Sequence, residues 1–126
     1  MRSLIVSHFY ADPEQRGKLR ALAGQGVELM AALPGGNAGL DNGVRLAPVP
    51  VSGDPDVPGM LKWNSGALRR VISDFHPDLI QIEESPGAPV ASAVASFARR
   101  MRIPYALFTW ESLSRRRGFL ERRRYR

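Results

Sequence analysis

The sequence contains no cysteine and only two histidines, His8 and His76. Without cysteine, neither a disulfide framework nor a thiolate metal site can form. A zinc site would have to rely mainly on carboxylates, which rarely bind that ion without histidine or cysteine. These absences predict a protein without a bound metal.

Long apolar runs are also absent, since no segment approaches the roughly 20 residues that a membrane-spanning helix needs. The chain starts with MRSLIVSHFY, whose apolar run breaks at His8. A signal peptide has a longer apolar region and a cleavage site with small residues. We interpret this segment as a buried first strand and expect a cytoplasmic protein.

Positive charge is concentrated at one end of the chain. The formal net charge is +6, but residues 99–126 carry ten arginines and two glutamates, whereas the first 98 residues sum to −2. We therefore divide the chain into a domain over residues 1–111 and a basic helical tail over 112–126. The rest of the chain lacks the basic, aromatic surface of nucleic-acid-binding modules, which makes nucleic acid an unexpected partner.

The tail allows two interpretations. Its helix could lead toward a second domain with a solvated basic face, or it could dock on an anionic membrane surface, where each Arg contributes on the order of 1 kcal/mol. The second interpretation would make the protein membrane-associated. The candidate contacts are Arg115, Arg116, Arg117, Arg122, Arg123 and Arg124.

Strand and helix patterns alternate along the chain. Short β-rich apolar runs predict strands over 4–6, 27–32, 44–51, 79–82 and 103–109, and helical spacing predicts helices over 14–24, 60–75 and 88–101. Such alternation is typical of an α/β fold with a doubly wound parallel sheet. We predict a Rossmann-like, five-stranded sheet with the strand order 3-2-1-4-5.

In such sheets ligands bind beyond the carboxyl ends of the strands, where the strand order reverses. His8 follows the first predicted strand, Glu83 and Glu84 follow the fourth, and Trp110 and Glu111 follow the fifth. Imidazole and carboxylate groups can hydrogen-bond sugar hydroxyls or move protons. The alternative interpretation is a loop cap at His8, a solvated acidic loop at Glu83 and Glu84, and a core tryptophan.

Other motifs carry little weight. Asp54-Pro55-Asp56 matches a metal-binding Asp-x-Asp pattern, but it lies in a Gly- and Pro-rich loop with no firm strand before it. No phosphate-binding glycine loop follows the first strand, and no nucleophile elbow is present. These absences disfavour a nucleotide triphosphatase and an α/β-hydrolase.

Three ordered segments together resemble the N-terminal domain of the glycosyltransferase group 4 family. They are LIVSHFY, RGKLRALAGQGVELMAALP and LRRVISDFHPDLIQIEESPGAPVASAVASFARRMRIPYALFTWESL. The resemblance implies one half of a two-domain GT-B transferase that moves a sugar from a nucleotide-sugar co-substrate, with retention and without metal. It implies that this domain presents a sugar or lipid-linked acceptor.

Applied to residues, the resemblance places Glu83 where many relatives carry a cleft histidine and so implies a catalytic role. His8, Glu84, Trp110 and Glu111 would contact the acceptor. The family's donor-side signature, two glutamates separated by seven residues, does not occur in the sequence. We therefore expect the donor-binding C-terminal domain to lie elsewhere and this chain to be inactive alone. A competing interpretation is a stand-alone α/β interaction domain whose Arg-rich tail docks on an anionic partner.

Overall fold

A computed structural model describes residues 1–108, in which strands and helices alternate. The predicted domain boundary after residue 111 and the tail over 112–126 lie outside the described residues. The helices are α1 (Gly17–Gly24), α2 (Ser65–Phe75) and α3 (Pro89–Met101). The strands are β1 (Arg2–Val6), β2 (Glu28–Pro34), β3 (Gly39–Asp41), β4 (Val44–Val49), β5 (Val51–Ser52), β6 (Lys62–Trp63), β7 (Leu79–Glu83) and β8 (Tyr105–Phe108).

The main sheet is mostly parallel. Its order is β3-β4-β2-β1-β7-β8, and only β3 runs antiparallel to its neighbour, β4. The prediction of an α/β, Rossmann-like fold is therefore confirmed. The predicted five-stranded sheet with the order 3-2-1-4-5 needs correction. A sixth strand, β3, is added at one edge, and the predicted third strand is divided between β4 and β5.

The missed strand β3 forms a tight hairpin with β4. Asn42 and Gly43 connect the two strands with φ angles of 47° and 91°. Positive φ at both connecting residues suits the twist of a two-residue hairpin, and Asn-Gly is a preferred pair for it. Only Leu40 in β3 is strongly apolar, and it is exposed, so hydrophobic alternation gave no signal for this strand.

Helix α2 is shorter than the predicted helix over 60–75. Asn64 caps its start, because its side-chain Oδ1 accepts a hydrogen bond from the Ala67 amide at 2.8 Å. The helix ends at His76, which adopts a left-handed conformation with φ of 52° before Pro77. Residues 60–64 instead form a short turn and β6, whose Trp63 is buried in the core.

The core has two layers because β1 alternates its side chains between the two faces of the sheet. Leu4 and Val6 pack in the layer covered by α2 and α3. Ile5 packs on the opposite face with Leu19 of α1. Fully burying a side chain of this size contributes about 1.5–3 kcal/mol to the free energy of unfolding. The central strand therefore holds both layers of helices in place.

None of the helices within residues 1–108 combines the length and the apolar character that crossing a bilayer requires.

Two arginines fasten the β3 edge to the region before and within α1. The Asp41 carboxylate accepts hydrogen bonds from Arg20 Nε at 2.9 Å and from Arg16 Nη1 at 3.0 Å. These guanidinium groups, Arg20 first and Arg16 second, lower the pKa of Asp41 from an ordinary 3.8 to about 2. The carboxylate thus remains ionised in the folded protein at a pH that protonates it in the unfolded chain.

This shift predicts an acid-dependent contribution to stability. A lowered pKa in the fold stabilises it at pH values above 3.8, and the contribution is lost as the pH falls toward about 2. We expect Asp41→Asn to lower the urea midpoint above that window and to approach the parent protein below it. Urea titrations at a series of pH values measure this difference. Asp56→Asn, in an exposed loop, is the control; an Asp41→Asn deficit that does not shrink on acidification would contradict the assignment.

Candidate functional site

The site lies where β1 and β7 end side by side. The two strands pair in parallel, with Val6 opposite Ile82, so the residues that follow them meet at one edge of the sheet. His8 comes from the turn after β1, and Glu83 and Glu84 come from the end of β7. The structure thus brings together three of the residues that the sequence singled out.

Glu84 fixes the position of His8. One carboxylate oxygen, Oε2, accepts the His8 backbone N–H at 2.5 Å and lies 2.6 Å from ring atom Nδ1. An ionised carboxylate can only accept hydrogen bonds, so with Glu84 ionised the donor in this contact is the Nδ1–H of His8. The Glu84 side chain is 1% exposed and that of His8 is 28% exposed. A ligand would therefore contact the imidazole ring of His8, whose orientation is held by the buried Glu84 carboxylate.

Glu83 has different partners. Its Oε1 accepts hydrogen bonds from the Tyr10 hydroxyl at 2.7 Å and from Lys18 Nζ at 3.0 Å. Its other oxygen, Oε2, is buried and has no hydrogen-bond partner within residues 1–108. A buried carboxylate oxygen without a hydrogen-bond donor is energetically costly, and Glu83, the residue that carries it, also lines a pocket.

Tyr10 supports this arrangement as a permanent donor. Burial, and then its hydrogen bond to Glu83, raise the pKa of the Tyr10 hydroxyl far above its ordinary value. The phenol therefore keeps its proton and donates a hydrogen bond to Glu83 throughout the ordinary pH range. Tyr10 was not among the candidates from the sequence, although its position shortly after a predicted buried strand was an available signal.

The turn after β1 is held by its own hydrogen bonds. Ser7 Oγ accepts the Phe9 amide at 3.1 Å, and Arg16 Nε donates to the Tyr10 carbonyl at 2.7 Å. Arg16 is 7% exposed, so this contact is shielded from water. Lys18, two residues after Arg16 and within α1, was missed because its approach to Glu83 depends on how α1 packs against the sheet.

A pocket opens over these polar groups. Its volume is about 460 Å³, within the range of small-molecule sites. Three of its lining residues, Val57, Gly59 and Met60, come from the segment between β5 and β6, which the sequence predicted as a loop followed by a helix that begins at Met60. The lining residues are His8, Phe9, Val57, Gly59, Met60, Glu83, Glu84 and Ser85.

Glu83 and Glu84 are adjacent at the carboxyl end of β7. They bond different partners, as expected for side chains that alternate in direction, yet both line the same pocket. Each is 3% exposed, so the alternative of a solvated acidic loop is wrong. Whether Glu83 is catalytic and whether His8 and Glu84 contact an acceptor stay predictions.

Several candidates fall outside the described residues. Trp110, Glu111 and the six tail arginines belong to this group, so their roles stay predictions. Asp54 and Asp56 lie in an exposed loop, where the Asp54 side chain accepts the Asp56 amide at 2.9 Å. Within residues 1–108, no three His, Asp or Glu side chains are close enough together to hold a metal ion.

Comparison with known families gives one match, and it covers most of the chain. The model of the glycosyl transferase 4-like domain matches residues 15–126. No curated protein and no solved structure gives a significant match. The matched segment contains α1, the whole of β7 with Glu83 and Glu84, and β8. The chain therefore belongs to the glycosyl transferase 4-like domain family.

Proposed function

We propose that this domain is the acceptor-binding half of a nucleotide-sugar-dependent glycosyltransferase of the GT-B type. The observation that carries the proposal is the pocket at the ends of β1 and β7, where His8, Glu83 and Glu84 converge in a member of this family. Open α/β sheets bind their ligands at this position. The family resemblance adds retention of configuration and independence from metal ions.

In the proposed reaction, an acceptor hydroxyl lies in the pocket beside the His8 ring. The hydroxyl donates its hydrogen bond to the Glu83 carboxylate, whose Oε2 lacks a partner among the described residues. A new bond forms between the acceptor oxygen and the anomeric carbon of the donor, while the bond from that carbon to the diphosphate oxygen breaks. The hydroxyl proton passes to Glu83, the proposed general base, and the nucleoside diphosphate departs with the electron pair of the broken bond.

Glu84 acts through His8 and not on the substrate. Its carboxylate is almost fully buried and contacts both the backbone and the ring of His8. A ring held at two points loses little freedom when a ligand binds, and such fixed geometry is a main source of enzymatic rate enhancement. We assign Glu84 as a positioning residue and His8 as the residue that contacts the acceptor.

We place the nucleotide-sugar on a second domain. The motivation is that the family's donor-side pair of glutamates, separated by seven residues, does not occur in the 126-residue sequence. In this arrangement the pocket faces a cleft, and the donor arrives from the opposite side of that cleft.

The test is a transfer assay with this domain joined to its donor domain. Incubation with a panel of nucleotide-sugars and acceptor alcohols should release nucleoside diphosphate at a rate that depends on the acceptor. Isothermal titration of the 126-residue chain alone provides the control, with no micromolar binding of any nucleotide-sugar expected. Acceptor-independent release by the joined protein, or tight donor binding by this chain alone, would show that the roles are wrongly assigned.

A further inference from the structure

Three exposed apolar side chains line the pocket. Phe9 is 38% exposed, Val57 is 46% exposed and Met60 is 57% exposed, and all three line the pocket. Single exposed apolar residues are ordinary, but a group of them beside a polar cavity marks a contact surface. We call Phe9, Val57 and Met60 the apolar wall.

The apolar wall is attached to the polar groups of the site. The Phe9 ring packs edge-on against Tyr10, with ring centroids 6.0 Å apart and planes at 87°. Tyr10 in turn donates to Glu83. Phe9 is therefore linked through Tyr10 to the carboxylate that we assign to the acceptor hydroxyl, and Phe9 and Glu83 both line the pocket.

The rest of the wall comes from a short turn that lies against His8. The Val57 amide donates to the Asp54 carbonyl at 3.0 Å, and the Met60 amide donates to the Val57 carbonyl at 2.9 Å. A Cβ atom added to Gly59 would lie 3.8 Å from His8 Cε1, so the turn passes close to the imidazole. The turn thus presents Val57 and Met60 on the side of the pocket that His8 also borders.

From this juxtaposition we infer that the acceptor is an amphiphile, in which an uncharged hydroxyl-bearing head is joined to an alkyl or aryl group. This inference rests on the proposed function and narrows its substrate class. The polar side of the pocket offers the His8 ring and the Glu83 carboxylate. A carboxylate accepts hydrogen bonds and so favours a head that donates them. Covering the apolar wall lowers the free energy of binding only when the ligand supplies an apolar group, because both apolar surfaces then leave water.

Matched glycosides test the inference by binding alone. The probes are octyl and methyl glycosides of glucose, galactose and mannose, titrated calorimetrically into the intact protein below the micellar concentration of the octyl compounds. For at least one sugar, the octyl glycoside should bind roughly tenfold more tightly than the methyl glycoside, the effect of removing about two methylene groups from water. Equal affinities, or no octyl binding, would overturn the inference.

Two variants show whether the wall is responsible. Val57→Ser with Met60→Ser should remove most of the octyl preference, whereas Leu40→Ser, at a 71% exposed residue on the edge strand β3, should leave it unchanged. An octyl preference that survives the double substitution, or that Leu40→Ser also removes, would locate the binding elsewhere.

The transfer assay separates this inference from the proposed function. If the protein transfers sugar to methyl and octyl acceptors with equal KM, the proposed function stands and the amphiphile assignment fails. If the octyl glycoside binds through the wall but no nucleotide-sugar supports transfer to it, the ligand class stands and the transferase assignment fails.

Discussion

Glu83→Gln, in the protein that includes the donor domain, is expected to lower kcat by roughly 10²–10⁴-fold, the usual contribution of a carboxylate that moves a proton. The substitution preserves size and an oxygen that can still accept from Tyr10 and Lys18, but it removes the negative charge. The acceptor KM should change less than kcat, because the charge matters most when the hydroxyl proton departs. Steady-state kinetics with saturating donor measure both parameters.

Two controls separate chemistry from structure. Tyr10→Phe removes the hydroxyl that donates to Glu83 Oε1 at 2.7 Å but keeps the charge of the carboxylate. We expect it to affect kcat much less than Glu83→Gln does. Glu28→Gln changes a half-exposed carboxylate that pairs with Arg2, and it should leave kcat unchanged. If Glu83→Gln lowered kcat only as much as Tyr10→Phe, Glu83 would be a structural residue.

His8→Ala and Glu84→Gln are expected to lower kcat/KM for the acceptor by about 10–100-fold each, because misplacing an oriented group by about 1 Å can cost on the order of 10²-fold. Both substitutions act on one ring, since Glu84 Oε2 lies 2.6 Å from His8 Nδ1. The double variant should therefore be no slower than the slower single variant. Kinetics of all four proteins complete the cycle.

His76→Asn provides the matched control for this cycle. His76 is the other histidine of the chain, lies at the end of α2 and adopts a positive φ that asparagine tolerates. It should leave kcat/KM unchanged. Fully additive losses at His8 and Glu84 would mean that the two side chains act independently and that Glu84 does not position the ring.

The candidate site was easiest to predict where a titratable residue lies at or just after the end of a strand of the parallel sheet. His8, Glu83 and Glu84 could be placed together because β1 and β7 are apolar enough to recognise and the carboxyl ends of parallel strands share an edge. The partners Tyr10 and Lys18 could not be predicted in this way. Their contacts with Glu83 depend on the conformation of a tight turn and on how α1 packs against the sheet. Residue spacing in the sequence predicts neither of these.

The apolar wall and the β3 edge were missed for a related reason. Val57 and Met60 lie among Gly and Pro residues, where apolar side chains have no helical or strand period. The hairpin residues Asn42 and Gly43 are a turn signal, but the strand before them has only three residues. Short elements fixed by tertiary contacts leave too few residues for any pattern to emerge.

The guanidinium of Arg16 joins the rim of the sheet to the pocket. It donates to Asp41 on β3 through Nη1 and to the Tyr10 carbonyl through Nε, and Tyr10 donates to Glu83. Through Arg16, the edge hairpin therefore stabilises the turn after β1 that carries His8 and Tyr10. A change at Asp41 therefore has a route to the pocket through a single side chain, that of Arg16, although the hairpin contributes nothing to the pocket's lining.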